Sequence, residues 1–363
     1  MKILKELENI LNFENVFSME EKIRKKIHKR FFNDLTQHHY KNCKEYKKIL
    51  DILKFNKNKS YNLIDLPFLP VTLFKNIDLM TIKKQKIIKT MKSSGTTGNQ
   101  LSKIYLDSNN TRNQIKALSN LFFSVTQTKE RLPMLIIDAN SILKNRNIFS
   151  ARAAAIKGFS FFSSDVCYAL NNDMTINHEA VEKFLKKYGD KKNIIFGFTS
   201  ILWENICENI EINSSKYNFK NSIILHGGGW KKLEKINISN SKFEERLFTK
   251  INSKKIINYY GMIEQTGSIF FQCTKCKNFV TSIFSDIIIR DKNFKDLGTD
   301  KIGIVQLLSV LPTSYPGHNI LTEDLGMIIN NKKSKCDHGN NKIFKIFGRL
   351  KKSDVRGCSD AIN

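Results

Sequence analysis

The sequence has no long apolar run. Stretches such as Met134 to Ile137 and Ile287 to Ile289 fall far short of the roughly 18 residues that a membrane-crossing helix needs, so a helical membrane span is excluded. The opening MKILKELENI carries Lys5, Glu6 and Glu8 where a secretory signal requires an apolar stretch, and the expected location is the cytoplasm. Cysteine is scarce: 7 residues scattered through 363 do not make a secreted disulfide scaffold, and reduced thiols are expected. Arginine is scarcer than the charge suggests. Of 60 basic residues only 10 are Arg, against a net charge of +26. Recognition of phosphates and bases favours the forked guanidinium, and the lysines are spread through every segment, so the basic balance reads as a solvated surface, not a nucleic-acid interface.

What the chain does contain is enough apolar material, 41% of residues, to bury a sizeable core. Its length allows one large domain or two ordinary ones. The first sixty residues read as helical, with Ile3, Leu4, Leu7, Ile10 and Leu11 at helical spacing and Ser18 with Glu21 as a capping box for a second helix through Ile23, Ile27 and Phe31. LPFLPVTLFK, Leu66 to Lys75, holds two of the five prolines and is expected to be extended and rigid.

From Lys86 the pattern changes to short apolar runs separated by helical stretches. KIIKTMK, LPMLIID, NIIFGFT, SIILHGGG and KIINYYG read as strands, with helices over Asn177 to Tyr188 and Ser241 to Ile251. Such alternation predicts an α/β protein with a largely parallel sheet, and the closer strands after Asp286 a second sheet or small β subdomain.

One loop concentrates polar chemistry. Ser93-Ser94-Gly95-Thr96-Thr97-Gly98 packs four hydroxyls and two glycines into six residues, so the backbone can curl while donors converge on an anion, and Lys103 follows as a phosphate counter-charge. It is not a Walker loop, because no Gly-Lys-Ser/Thr follows. By itself a surface turn would look similar. Downstream, at the ends of predicted strands, lie His226-Gly227-Gly228-Gly229-Trp230, Tyr259-Tyr260-Gly261-Met262-Ile263-Glu264, Leu321-Thr322-Glu323-Asp324-Leu325-Gly326 and Gly348-Arg349. Together they supply a platform for a base, a carboxylate for ribose hydroxyls and a carboxylate for Mg²⁺, at the strand ends where α/β proteins bind ligands.

This order of motifs resembles the adenylate-forming superfamily of acyl-CoA synthetases and luciferases, and within it the acyl-protein synthetase family of the bacterial bioluminescence fatty-acid reductase complex. The local matches are LPFLPVTLFK, LHGGGWKK, YYGMIEQTGSIF, LPTSYPGHNILTEDLG and GRLKKSDVRGC. The resemblance implies stacked, mostly parallel sheets with interleaved helices plus a smaller β subdomain, without the usual mobile C-terminal domain: a helical part over 1–65, a catalytic core over 66–347 and a tail over 348–363. It implies ATP and magnesium as cofactors, a carboxylic acid as substrate and an acyl-CoA reductase as partner. Residue by residue, it assigns the phosphates to Ser93, Ser94, Gly95, Thr96, Thr97 and Gly98, adenine to Tyr260 and Gly261 beside Gly227, Gly228 and Gly229, magnesium to Glu264, and the ribose to Asp324 and Arg349. Ile263 stands where many relatives carry a Thr near the α-phosphate, which makes Thr266 the nearby candidate. Phe196, Phe198, Thr199 and Trp203 resemble the wall of an acyl pocket.

The same resemblance makes Cys358 the acyl acceptor. An acyl-adenylate is a mixed anhydride with AMP as a good leaving group, so a thiolate suffices, and Lys351, Lys352 and Arg356 favour that thiolate. An acyl- or aryl-CoA ligase, or one that loads a carrier protein, would leave Cys358 uninvolved.

A second constellation is Cys273-x-x-Cys276 with Cys336-x-His338, a donor set suited to a structural zinc. Cys43, Cys167 and Cys207 read as packing residues, and His226 as held by its turn. The +26 charge with CxxC and CxH also fits a zinc-containing nucleic-acid binder, a reading that leaves SSGTTG, the YG-to-Glu264 segment and the Thr322-to-Gly326 segment unexplained.

Overall fold

The computed structural model describes residues 2–93, 101–143, 151–209, 211–213, 215–228, 238–330, 336, 338 and 340–350. Among these no helix is long and apolar enough to cross a membrane. The chain divides into two compact units: residues 1–121, 261–270 and 275–363 form one, residues 122–260 and 271–274 the other. The N-terminal helices thus share a unit with the C-terminal strands.

The first unit begins with α1 (Lys2–Leu11), α2 (Glu21–Asn42) and α3 (Lys44–Ile52). Leu7, Ile10 and Leu11 of α1 and Phe31, Phe32 and Leu35 of α2 are buried, the pattern that helical spacing predicts. The expected capping box does not form. Glu20 occupies the N-cap of α2 without a side-chain bond, and the Ser18 hydroxyl instead donates to Asn15 O at 3.1 Å. The proline segment is extended only in part: β1 (Leu69–Pro70) gives way to a helical turn, α4 (Leu73–Asn76), since beyond Pro70 no ring restricts the backbone. The hairpin β2 (Lys89–Lys92) and β3 (Lys103–Leu106) then leads to α5 (Ser108–Thr126).

The second unit holds β4 (Leu132–Ala139), α6 (Ala151–Ser160), β5 (Ser163–Leu170), α7 (His178–Tyr188), β6 (Asn193–Phe198), α8 (Thr199–Leu202), β7 (Ser222–Gly227), α9 (Asn240–Ile251) and β8 (Lys255–Tyr260). Strands β5 to β8 pair in parallel with β4, β6 and β7 inside. All eight residues of β4 are buried, as a strand covered on both faces must be, and Leu132 to Ile137 form a continuous apolar run for that reason. The predicted helices are present, with Asn177 and Ser239 as N-caps whose side chains accept from the backbone of Ala180 and Lys242, bonds that satisfy amides left over at a helix start. At the end of β4 the buried Asp138 accepts from both Nε and Nη2 of Arg152 on α6.

After β9 (Phe270–Phe271) and β10 (Phe279–Val280), the strands β11 (Ser285–Arg290), β12 (Gly303–Ser309), β13 (Asn319–Ile329) and β14 (Ile343–Arg349) form an antiparallel sheet in the order β10-β14-β13-β12-β11. Strand β1 adds to it in parallel, with Leu69 opposite Ile320 and Pro70 opposite Leu321. Under this sheet the buried Asp286 is met by Lys342 Nζ at 2.8 Å and by His28 at 3.8 Å. Burial pushes its acid strength down, yet the Lys342 charge and a hydrogen bond with His28 hold its carboxyl well below the usual carboxylate range. Three further histidines, two on α2 and one just before β13, come together across the fold: His39 stacks on His318 with centroids 4.9 Å apart and meets His38 edge-on at 5.2 Å.

Candidate functional site

In the first unit, β2 and β3 run through four residue pairs from Lys89 opposite Leu106 to Lys92 opposite Lys103. Ser93 extends the ladder: its amide donates to Ser102 O at 3.0 Å, and the Ser102 amide donates to Ser93 Oγ at 3.0 Å. The loop rich in hydroxyls therefore departs from a closed hairpin. Ser94, Gly95, Thr96, Thr97 and Gly98 lie outside the described residues. Lys103 stands 3.9 Å from Asp78 Oδ1, which also accepts from the Tyr105 hydroxyl at 2.6 Å. Both members of that pair are about half exposed, so the contact is worth a few tenths of a kcal/mol, about 0.2–1, and leaves the ammonium free to change partners.

Glu264 sits in a 3₁₀ turn, Ile263–Gln265, of the same unit. The turn is fixed by its own backbone and side chains. The Tyr315 hydroxyl donates to Glu264 O at 2.9 Å, and Gln265 Nε2 donates to Leu307 O at 3.1 Å and Gly317 O at 2.9 Å. Gly267, at φ +88°, closes the turn where a Cβ would stand 2.9 Å from the Gln114 main chain, so only glycine fits. The Thr266 hydroxyl donates to Ile263 O at 2.7 Å; the candidate for the α-phosphate is thus engaged in holding the turn.

The Glu264 side chain is buried, and burial pushes its carboxyl above the usual range, opposed by the Ser102 hydroxyl and by the charges of Lys75 and Arg349. Arg349 is the residue opposite Asp324 in the β13–β14 ladder, with Nε 3.9 Å from Asp324 Oδ1. The Asp324 amide donates to Thr322 Oγ1 at 3.1 Å, and Leu350 N to Glu323 O at 2.8 Å. Lys75 reaches the same place from α4, 4.0 Å from Glu323 Oε2, because β1 seats its segment against β13. The structure therefore brings Glu264, Asp324 and Arg349 to one face and adds Lys75 and Ser102, which sequence reasoning did not single out. Lys75 ends the LPFLPVTLFK segment, and that was the only signal available. A carboxylate oxygen is the ligand type that hard divalent cations take, so Glu264 offers one such donor once ionised, while the nearby charges of Lys75 and Arg349 suit an anionic substrate.

In the second unit, Gly227 ends β7 beneath the Tyr259 ring, where a Cβ would meet ring carbons at 2.4 Å. Gly228, at φ +80°, faces Phe198. His226 is buried, with Nδ1 3.0 Å from Thr199 Oγ1 and its ring 4.9 Å from Phe243; it is held by its surroundings. Tyr259 is buried against Phe159 and Phe196, whereas Tyr260, on the alternate face of β8, is half-buried. Gly261 is exposed. Of the residues expected along an acyl pocket, Phe196 and Trp203 are core residues, 0% and 6% exposed, Thr199 is buried, and Phe198 is half-buried. Gly229 and Trp230 lie outside the described residues.

The cysteines sort by environment. Burial raises the thiols of Cys43 and Cys167, and pushes that of Cys207 up to about 12, which makes them poor nucleophiles. Cys273, Cys276, Cys336 and His338 are half-buried, and their ligand atoms all lie within 4.8 Å of one another. Cys358, with Lys351, Lys352 and Arg356, lies outside the described residues.

Residues 3–363 match the model of a family described as acyl-protein synthetase, LuxE. The chain belongs to the LuxE acyl-protein synthetase family. Among curated LuxE relatives, the long-chain-fatty-acid–luciferin-component ligase of Vibrio harveyi is 21% identical over 355 residues, covering 94% of this chain and 88% of that protein. The enzyme of the same name from Aliivibrio fischeri is 20% identical, with 94% and 89% covered. Among solved structures, 2-hydroxyisobutyryl-CoA ligase in its postadenylation state with an acyl-AMP is 13% identical, with a TM-score of 0.68 over 93% of this chain and 70% of that one. The same ligase with 2-HIB-AMP and CoA gives 0.69 over the same shares. The chain thus has the fold of adenylate-forming ligases, as the motif order implied.

Proposed function

We propose that this protein uses ATP to activate a carboxylic acid, by analogy with its relatives a fatty acid, and then takes the acyl group onto its own Cys358 for delivery to a reductase partner. The observation that carries this reading is the buried Glu264 carboxyl, faced by Ser102, Lys75 and Arg349 at the end of the β13–β14 ladder, in a chain that matches the acyl-protein synthetase family from residue 3 to residue 363.

In the first half-reaction a carboxylate oxygen bonds to the α-phosphorus of ATP as the bond to the β-phosphate oxygen breaks, and pyrophosphate departs with its electron pair. Arg349 and Lys75 supply positive charge to a substrate that carries several negative ones. Asp324 accepts from ribose hydroxyls, Tyr260 offers its half-buried ring to adenine, and Ser93 to Gly98 with Lys103 receive the terminal phosphates. Glu264 would hold magnesium, whose chemistry is to neutralise phosphate charge. In the second half-reaction the Cys358 sulfur, its proton lost to solvent, bonds to the acyl carbon while the carbon–oxygen bond to AMP breaks. The raised thiols of Cys43, Cys167 and Cys207 are not suited to that step.

Two measurements test the proposal. ATP–pyrophosphate exchange across a panel of carboxylic acids should reveal at least one substrate, and intact-protein mass should rise by one acyl group, labile to hydroxylamine. Cys358→Ala should keep the exchange and lose the adduct. No exchange with any acid would reject the adenylation step. A hydroxylamine-labile adduct on Cys358→Ala would reject the acceptor, and acyl-CoA formation without an adduct would point to a CoA ligase.

A further inference from the structure

We propose that Cys273, Cys276, Cys336 and His338 bind a structural zinc ion that staples the far end of the β13–β14 hairpin. The donors come from two places well apart in the chain: the turn that follows β9 and the connection between β13 and β14. Their ligand atoms nevertheless lie within 4.8 Å of one another. A closed tetrahedral site has Zn–S bonds of about 2.3 Å and so sulfur atoms about 3.8 Å apart, a spacing compatible with ligand atoms that all lie within 4.8 Å of one another. The set of three thiolates and one imidazole selects a borderline-soft ion over magnesium or calcium, which prefer oxygen. Four protein ligands leave no open position for substrate, so the ion is structural.

The local fold explains why an ion is useful there. Strand β10 pairs with β14 through only two residue pairs, Phe279 with Phe344 and Val280 with Ile343, too few to define an edge unaided. The connection over residues 330–342 must also be closed at an entropic cost. The turn at His338 is set by the Asn341 amide, which donates to His338 O at 2.8 Å, while the Asn341 side chain donates to Phe17 O at 2.5 Å. A metal bridging 273–276 to 336–338 ties β10 and both strands of the hairpin at the end where Ile329 faces Ile343. Asp324 and Arg349 lie at the other end. Three thiolates and a divalent ion leave one negative charge, which Lys275, Lys277 and Lys335, adjoining the ligands in sequence, can offset.

Elemental analysis of the full-length protein, purified without chelator, should find about one zinc per chain. Cys336→Ser and His338→Ala should each lower that content at least about tenfold under mild chelation, while Cys167→Ser, outside the cluster, should leave it unchanged. Because ligand variants can misfold, the wild type provides a second readout: after replacement of zinc by Co²⁺, it should show thiolate-to-cobalt charge-transfer bands and the intense visible absorption of a tetrahedral site. Wild-type protein with no stoichiometric zinc and no such cobalt spectrum would overturn the proposal, as would full zinc content in a Cys276→Ser/Cys336→Ser double variant. Loss of zinc with unchanged pyrophosphate exchange at low temperature is expected, and separates this site from the chemistry at Glu264.

Discussion

Asp138 in the parallel-sheet unit and Glu264 in the other are both carboxylates taken out of water at strand or turn ends, and they are treated in opposite ways. Asp138 is gripped by two nitrogens of Arg152 and takes a further bond from the Ala139 amide at 2.7 Å. Glu264 has no guanidinium grip: the Ser102 hydroxyl and the more distant charges of Lys75 and Arg349 oppose burial only in part, and burial leaves its acid strength weakened. A carboxylate locked by a forked guanidinium has spent its acceptor capacity on the fold. One that is buried without a lock retains capacity for a ligand, and folding does not require its charge. Asp286, met by Lys342 and His28, belongs with Asp138, so the distinction follows the partner and not the type of sheet.

The comparison can be broken first at Glu264. Glu264→Gln should lower acid-dependent pyrophosphate exchange by about 100-fold or more while the melting temperature stays level or rises, since a buried charge has been removed. A large fall in melting temperature would place Glu264 with the locked carboxylates. Conversely, Arg152→Ala leaves Asp138 buried and unmatched, and should cost about 3 kcal/mol in chemical denaturation, discounted somewhat because Arg152 is 27% exposed. Unchanged stability would show that Asp138 needs no partner.

A smaller effect should come from pH. Burial drives His318 down to about 3 and, with the neighbouring His318 and His38 charges, His39 well below the ordinary value of 6.5. Both are therefore neutral in the folded state. The contribution of His318 is complete above about pH 6.5 and is lost as the pH falls towards 3, and that of His39 is lost in the same direction, because the unfolded chain takes up the protons first. At pH 5 the loss from His318 should be about 2 kcal/mol, with His39 acting in the same direction. Urea titrations at pH 7 and pH 5 check this, and His318→Asn should flatten the difference; an equal slope in both proteins would show that another group governs the acid limb.

Much of this arrangement could be read from residues alone, and the exceptions are instructive. Continuous apolar runs such as LPMLIID announce a strand buried on both faces, so the parallel sheet was legible. Glu264, Asp324 and Arg349 were legible as motif residues. Lys75 was not, because what brings it to Glu323 is the pairing of β1 with β13 across about 250 residues of chain, a register that local patterning does not encode. Ser18 misled because a Ser three residues before a Glu satisfies the capping pattern equally well when the hydroxyl bonds backwards to Asn15. Phe196 and Trp203 looked like pocket walls since an aromatic side chain has the same sequence signature whether it lines a cavity or fills a core. The Cys and His ligands were legible as spacing, while the closeness of the two pairs was a matter of tertiary structure.

The ring of Tyr259 lying directly over Gly227 has a consequence for descent. Positions 227 and 259 share one volume, so they are not free to drift separately: any lineage that acquires a side chain at 227 must first, or at once, give up the large ring at 259. Homologous chains should therefore show these two sites changing as a pair, with glycine tolerated beside any partner and tyrosine tolerated beside glycine alone.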